Sequence, residues 1–87
     1  MLRVQILSPE NTIFEGEVKS IKLPGVQGEF HVFDLHAGLI ALLGKGSLKL
    51  DTTAVIDAAH KEDHFTCIEI SSGVVEVKNN VLVILVD

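Results

Sequence analysis

Tryptophan and tyrosine are absent from this 87-residue chain, and four phenylalanines are its only aromatics of that class. Without large polar-tipped rings, the core must come from Val, Ile, Leu and Ala, which suits thin two-layer packing. The single cysteine, Cys67, excludes an intramolecular disulfide. A small domain that folds without such a staple fits a reducing compartment. Lys and Arg number only seven against twelve Asp and Glu, for a formal net charge of −5. Nucleic acid calls for clustered cations on phosphates, so that ligand class is excluded. An acidic balance is compatible with a basic protein partner. No run approaches the ~20 apolar residues needed to cross a bilayer as a helix. Met1 leads straight into an alternating pattern, without the basic start and apolar run of a signal peptide, so no leader is expected. The chain is expected to be soluble and to meet a membrane only through a partner.

What the chain has is alternation. Leu2, Val4 and Ile6 share one strand face, with Arg3 and Gln5 on the other. Ser8-Pro9-Glu10-Asn11 is a turn, since proline presets its own backbone and removes a ladder donor. Thr12 to Phe14 continues as strand, and Gly16 marks a bulge or a close backbone crossing. Glu17 to Leu23 follows, bounded by Pro24-Gly25. Further strands are predicted at 29–32, 38–43, 47–50, 65–70, 74–77 and 81–86. Lys78-Asn79-Asn80 forms a hairpin tip, because asparagine tolerates positive φ. The fold class is therefore all-β, an antiparallel β-sandwich or flattened barrel of about eight to ten strands, in one domain over residues 1–87. With 47% hydrophobic residues, a chain of this size buries roughly 60–65% of its unfolded surface.

Two segments break the rhythm. Thr52 to Asp63 is alanine-rich and has the composition for one or two helical turns, although ~12 residues rarely hold a helix without packing support. Val81 to Val86 is apolar throughout. In a sheet with one wet side, Val81, Val83 and Leu85 are expected inside and Leu82, Ile84 and Val86 outside. Such a strand is either a central one covered by its own chain or an outward stripe covered by another subunit.

Chemistry-bearing constellations are sparse. His60, His64 and Cys67 have the spacing H-x3-H-x2-C, but a structural zinc site takes four ligands and no fourth lies nearby in sequence, while Lys61 repels a cation. Cys67 in Thr66-Cys67-Ile68 reads as a small buried hydrophobe. Ser71-Ser72-Gly73 lacks the strand–elbow–helix setting of a serine nucleophile. Gly25-x-x-Gly28 and Gly44-x-Gly46 are too short for a phosphate loop and precede no helix. Glu29 and Asp34 on one exposed loop have no desolvation to split their acidities. No catalytic, cofactor-binding or metal residue is assigned. A lipoyl or biotinyl carrier domain would place its modified lysine at a tip like Lys78, but Val77 and Asn79 are the wrong neighbours.

The remaining signal is Leu23 to Leu43, LPGVQGEFHVFDLHAGLIALL. Phe30 and Val32 suit a core plug, whereas Glu29, Phe33, Asp34 and His36 do not. Mixed loops of this kind on a small β scaffold serve recognition. The stretch, with Ile13-Phe14-Glu15-Gly16-Glu17-Val18 before it and Ser71 to Val77 and Asn80 to Asp87 after it, resembles the epsilon-subunit family of F-type ATP synthases, called delta in mitochondria. That family reads "VFEGEV", then "LPG..GEFGVLPGHAPLLA.L..G.L.I", then "SGG.VEV..N.VTVLAD". Here His31 stands for a glycine, Asp34-Leu35 for Pro-Gly, and Gly38 for a proline, so the turn near Asp34 must differ.

The resemblance implies a non-catalytic subunit of the central rotor. It would link the gamma subunit to the c-ring and couple proton- or sodium-driven rotation to ATP synthesis, peripheral to the cytoplasmic face of a bacterial inner membrane. It places the c-ring contact on Glu29, Phe33, Asp34 and His36. The expected gamma contact is Ser8, Leu82, Ile84 and Val86. The carboxy-terminal helical hairpin of longer members, which restrains hydrolysis and in some binds ATP, is expected to be absent, and with it any ATP site or other cofactor. The alternative is a generic β-sandwich interaction module or the carrier domain.

Overall fold

The computed structural model describes residues 1–54, 56 and 59–87. Among them are ten strands: β1 Leu2–Leu7, β2 Thr12–Val18, β3 Ser20–Gly25, β4 Gly28–Phe33, β5 Leu39–Leu43, β6 Gly46–Leu50, β7 His60–Glu62, β8 Phe65–Ile70, β9 Gly73–Lys78 and β10 Val81–Val86. They run in the order β2-β1-β10-β9-β5-β3-β6-β8-β7, with β4 on the other edge of β3. The path folds at one corner, where Gly25 of β3 pairs with Leu43 of β5. This leaves a first layer β2-β1-β10-β9-β5 and a second layer β4-β3-β6-β8-β7. The all-β sandwich expected from the alternation is present. One strand pair departs from antiparallel order: β1 and β10 run parallel, Arg3 opposite Val81 through Leu7 opposite Leu85. They come from the two ends of the chain, so no hairpin forces them to oppose.

Tight turns set the local register. Asn79 and Asn80, at φ 52° and 62°, make a two-residue link between β9 and β10, and this left-handed pair twists with the strands it joins. Val26-Gln27 joins β3 to β4, whose first residue, Gly28, has φ 130°. Strand β3 runs on through Pro24-Gly25, two residues past the expected end. Gly16 causes no bulge, since it pairs with Val4 in register. A Cβ there would stand 3.1 Å from the Phe14 ring, so the glycine makes room for that ring. The irregularity in this pair falls instead between Ile6 and Leu7. In the segment Thr52–Asp63, residues 55, 57 and 58 lie outside the described residues. Of the others, none is helical, and His60–Glu62 is strand β7 on the edge of β8.

The inner faces close on each other through aliphatic side chains. Leu2, Val4 and Ile6 meet Ile21, Leu23, Val32, Leu48 and Leu50 in one cluster with Val75, Leu82 and Ile84, all sealed from solvent. The two buried polar residues named with this core are both satisfied: Ser20 Oγ bonds His31 Nε2 at 2.9 Å, and Thr66 Oγ1 accepts from Lys61 Nζ at 3.0 Å.

Strand β10 reverses the expected alternation. Leu82, Ile84 and Val86 point inward, with Val81 and Leu85 exposed and Val83 half-buried. The reason is the parallel register on β1, which sets Leu82 and Ile84 beside Val4 and Ile6. An all-apolar strand carries no internal mark of phase, so its neighbour decides it. Ile84→Ala is therefore expected to lower unfolding stability by about 2–5 kcal/mol, and Leu85→Ala by no more than about 0.5–1 kcal/mol. Urea unfolding of both variants checks the assignment; equal losses would reverse it.

Candidate functional site

Three surfaces stand apart from the core. The first is one end of the sandwich, where the chain leaves β4 at Phe33 and enters β5 at Leu39. The rigid Pro-Gly of the resembling family is replaced by Asp34-Leu35, and Leu35 takes the left-handed turn itself, at φ 61°. A branched residue in that region is strained, so the turn depends on outside bonds. They come from the β9–β10 hairpin. Asn80 Oδ1 accepts from the Leu35 amide at 2.7 Å, and Asn80 Nδ2 donates to Asp34 Oδ1, also at 2.7 Å. The Met1 ammonium adds a 3.0 Å bond to the same carboxylate oxygen. Asp34 is thus a brace for the loop, both bonds falling on one carboxylate oxygen while the side chain stays half exposed. His36 Nδ1 donates to the Ala37 carbonyl at 2.6 Å, so Nε2 is the ring nitrogen left for another partner. Leu35 forms the tip, 85% exposed. The sequence reading left Leu35 out of the site; its exposure depends on a left-handed turn that its residue type does not advertise.

Glu29 does not join this loop. It lies four residues before Phe33 on β4, about 13 Å away at the ordinary rise of a strand. There it belongs to the outer face of the second layer, 3.6 Å from Lys49 Nζ, which also bonds Glu62 at 3.1 Å. These two carboxylates hold the Lys49 ammonium above its ordinary pKa, chiefly through the Glu62 hydrogen bond. Beside them His31 packs on Phe33 with ring centroids 4.1 Å apart, Phe65 stands edge-on to His31, and Lys22 Nζ lies 4.9 Å over the Phe65 ring. Of the expected quartet, then, Phe33, Asp34 and His36 share one end and Glu29 sits on a flank.

The third surface is the outer face of the first layer. Its more apolar half carries the row Leu42, Val74 and Leu85 across β5, β9 and β10, and beside it a second row in which the exposed Glu76 stands between Ile40 and Val83. Ile40 and Leu42 are 73% and 64% exposed. Arg3 and Glu15 hold the other half, 3.3 Å apart. Leu82, Ile84 and Val86, expected as contact residues, are inside and contribute nothing to this surface. Ser8 borders it, but its hydroxyl both donates to the Asn11 carbonyl and accepts from the Asn11 amide, closing its own turn.

The H-x3-H-x2-C residues, to which no metal is assigned from the sequence, do not gather as one group. His64 packs on Phe65 and faces Asp51 at 3.7 Å, whereas His60 lies directly across from Cys67. Glu62 joins them: one donor atom each from His60, Glu62 and Cys67 all lie within 4.8 Å of one another. Strand alternation on β7 puts residues 60 and 62 on one face, which would have revealed the trio had that strand been recognised.

Two outcomes follow from these contacts. Asn80→Gly keeps the left-handed turn but deletes both bonds to the 34–35 corner. It is expected to speed amide exchange at Leu35 at least about tenfold, with the β9–β10 ladder still protected. Burial, reinforced by the Lys22 charge, lowers the His31 pKa below its ordinary 6.5. The folded chain then binds that proton more weakly than the unfolded one. The His31 contribution is in place above about pH 6.5 and is lost as pH falls through the native value. Urea midpoints measured between about pH 7.5 and 5 should fall, and fall less in His31→Asn.

Comparison with known proteins places this arrangement. Residues 1–87 match the family described as the ATP synthase delta/epsilon chain, β-sandwich domain. The ATP synthase epsilon chain of Helicobacter pylori is 37% identical over 87 residues, covering 100% of this chain and 63% of that protein. That of Leptospira borgpetersenii is 36% identical over 86 residues, covering 99% and 61%. The chain thus spans under two thirds of the length of these relatives. Among solved structures, a chain of the Tetrahymena thermophila mitochondrial ATP synthase central stalk and c-ring superposes with a TM-score of 0.77 at 18% identity, over 98% of this chain and 62% of that one. A chain of the Euglena gracilis mitochondrial enzyme gives 0.76 at 20% identity, over 98% and 49%. These two support the fold. From its family match over all 87 residues and its epsilon-chain relatives, the chain belongs to the delta/epsilon family of ATP synthase subunits, through the β-sandwich domain of that family.

Proposed function

We propose that this chain is a rotor subunit of an F-type ATP synthase, binding the gamma subunit on one surface and the c-ring on another. The family match along residues 1–87 carries the reading. In this role the chain performs no chemistry and binds no ATP through this domain. It transmits torque from a ring driven by protons or sodium ions, and it sits peripherally on the cytoplasmic side of a bacterial inner membrane. A coupler needs stiffness and two separate contact surfaces. The closed aliphatic core supplies the first, and the loop end and the outer face of the first layer supply the second.

The gamma contact is best assigned to Ile40, Leu42, Val83 and Leu85, with the Ser8 turn at its margin. An interface of at least ~1,000 Å2 with an apolar centre is what such a contact requires. Phe33, Leu35 and His36 suit the ring, the first two as apolar anchors and His36 through Nε2. Glu29 on the flank can accept charge-assisted hydrogen bonds from basic side chains of the ring loops. Asp34 acts behind them by fixing the turn.

Purified gamma mixed with the chain at about micromolar concentration is expected to co-elute in gel filtration, and Leu85→Glu to abolish the complex while leaving the fold intact. Failure of the unaltered chain to bind gamma would sink the proposal. Glu29→Arg is expected to weaken attachment to the c-ring; unchanged assembly in that variant removes Glu29 from the contact.

A further inference from the structure

The outer face of the second layer holds a cluster that rotor coupling does not use. Strand β7 presents His60 and Glu62 on one side, and the register of β7 on β8 sets Cys67 opposite His60. Glu62 lies diagonal to Cys67, within reach of a long side chain. Cys67 is fully buried, yet it stands apart from the main aliphatic cluster. Among the described residues its thiol has no hydrogen-bond partner. Its cover includes the polar side chains of β7, and their imidazole nitrogen and carboxylate oxygen come within 4.8 Å of its sulfur.

We propose that His60, Glu62 and Cys67 form a binding site for a divalent cation of borderline softness, such as zinc. One nitrogen, one oxygen and one sulfur match that class of ion, and three protein ligands leave one position open to water. Ligands of a tetrahedral zinc stand about 3.5 Å apart, so side-chain rotation of about an ångström closes the trio. Glu69 Oε2 lies 4.0 Å from His60 Nε2, placing a second carboxylate beside the imidazole, the usual companion of a metal-bound histidine. Lys61 is no obstacle, because it points to the other face and donates to Thr66.

Lys49 is the group that must yield. Its ammonium now bonds Glu62 at 3.1 Å and lies 3.6 Å from Glu29. When the cation takes the Glu62 carboxylate, Lys49 keeps Glu29 as its partner. The Cys67 S–H bond breaks as sulfur binds the ion, and its proton passes to water. Two negative ligands then balance the double charge. The ion ties the three-residue edge strand β7 to β8.

Cobalt(II) titrated into the 87-residue chain under non-chelating reducing conditions tests the site. The expected result is saturation at one equivalent, with thiolate-to-cobalt absorption in the near ultraviolet, and a rise in melting temperature with zinc, since the folded chain gathers the three ligands and so binds the ion more tightly than the unfolded one. Both His60→Gln and Glu62→Gln change exposed side chains, so folding survives. Each is expected to weaken binding at least about tenfold. Cys67→Ser removes the near-ultraviolet band, and His64→Gln leaves binding unchanged. The site is overturned if no thiolate band appears, or if the His60 and Glu62 variants bind as tightly as the unaltered chain. Equal weakening by His64→Gln also overturns this choice of ligands.

Discussion

The constraint behind this structure is a central core cluster made of aliphatic side chains, with Phe14 and Phe30 packed only against its margin. The two layers of the folded sheet must approach closely enough for Val, Ile and Leu to fill the space between them, and only one side of each strand can take part. Burial of these side chains at about 25 cal/mol per Å2 drives folding, and the strict period of two along each strand sends every second residue outward. The proposed contact surfaces follow from that division. Because Leu82 and Ile84 are sealed inside, Val83 and Leu85 are left on the outer face, and because Val32 points in, Glu29, His31 and Phe33 share the outside.

The proposed ring contact lies where the lattice of strands is interrupted. The 34–38 loop has no ladder of its own, so its form is held by side chains from the neighbouring hairpin, above all Asn80. The arrangement trades a stiff Pro-Gly turn for a strained leucine braced by an amide and a carboxylate. It also changes the character of the tip, which becomes apolar at Leu35. On the flank, Lys49 between Glu29 and Glu62 keeps opposite charges paired on an exposed sheet. Such pairs add little stability by themselves but determine which carboxylates a partner or an ion must compete for.

Much of the fold was legible because alternation is a local signal. The pattern of Leu2, Val4 and Ile6 has one reading, and the turn residues at Ser8-Pro9 and Asn79-Asn80 bound strands where they occur. Strand β7 was missed because three polar residues beside an alanine-rich run carry no apolar alternation; it exists as a strand only by pairing with β8. Glu62 was missed with it. The phase of β10 was read backwards for a related reason: six apolar residues look the same from either side.

Composition and alternation by themselves determined an all-β fold with an aliphatic core and a loop of mixed polar and apolar residues, and the motif blocks determined its family. These are properties of neighbouring residues, set by backbone geometry and side-chain polarity. Tertiary structure alone decided which face of β10 is buried, that Asp34 braces the loop, that Glu29 sits apart from His36, and that His60 and Glu62 gather around Cys67. Each of these depends on the register between strands far apart in the chain, and register is fixed only when the two layers close on each other.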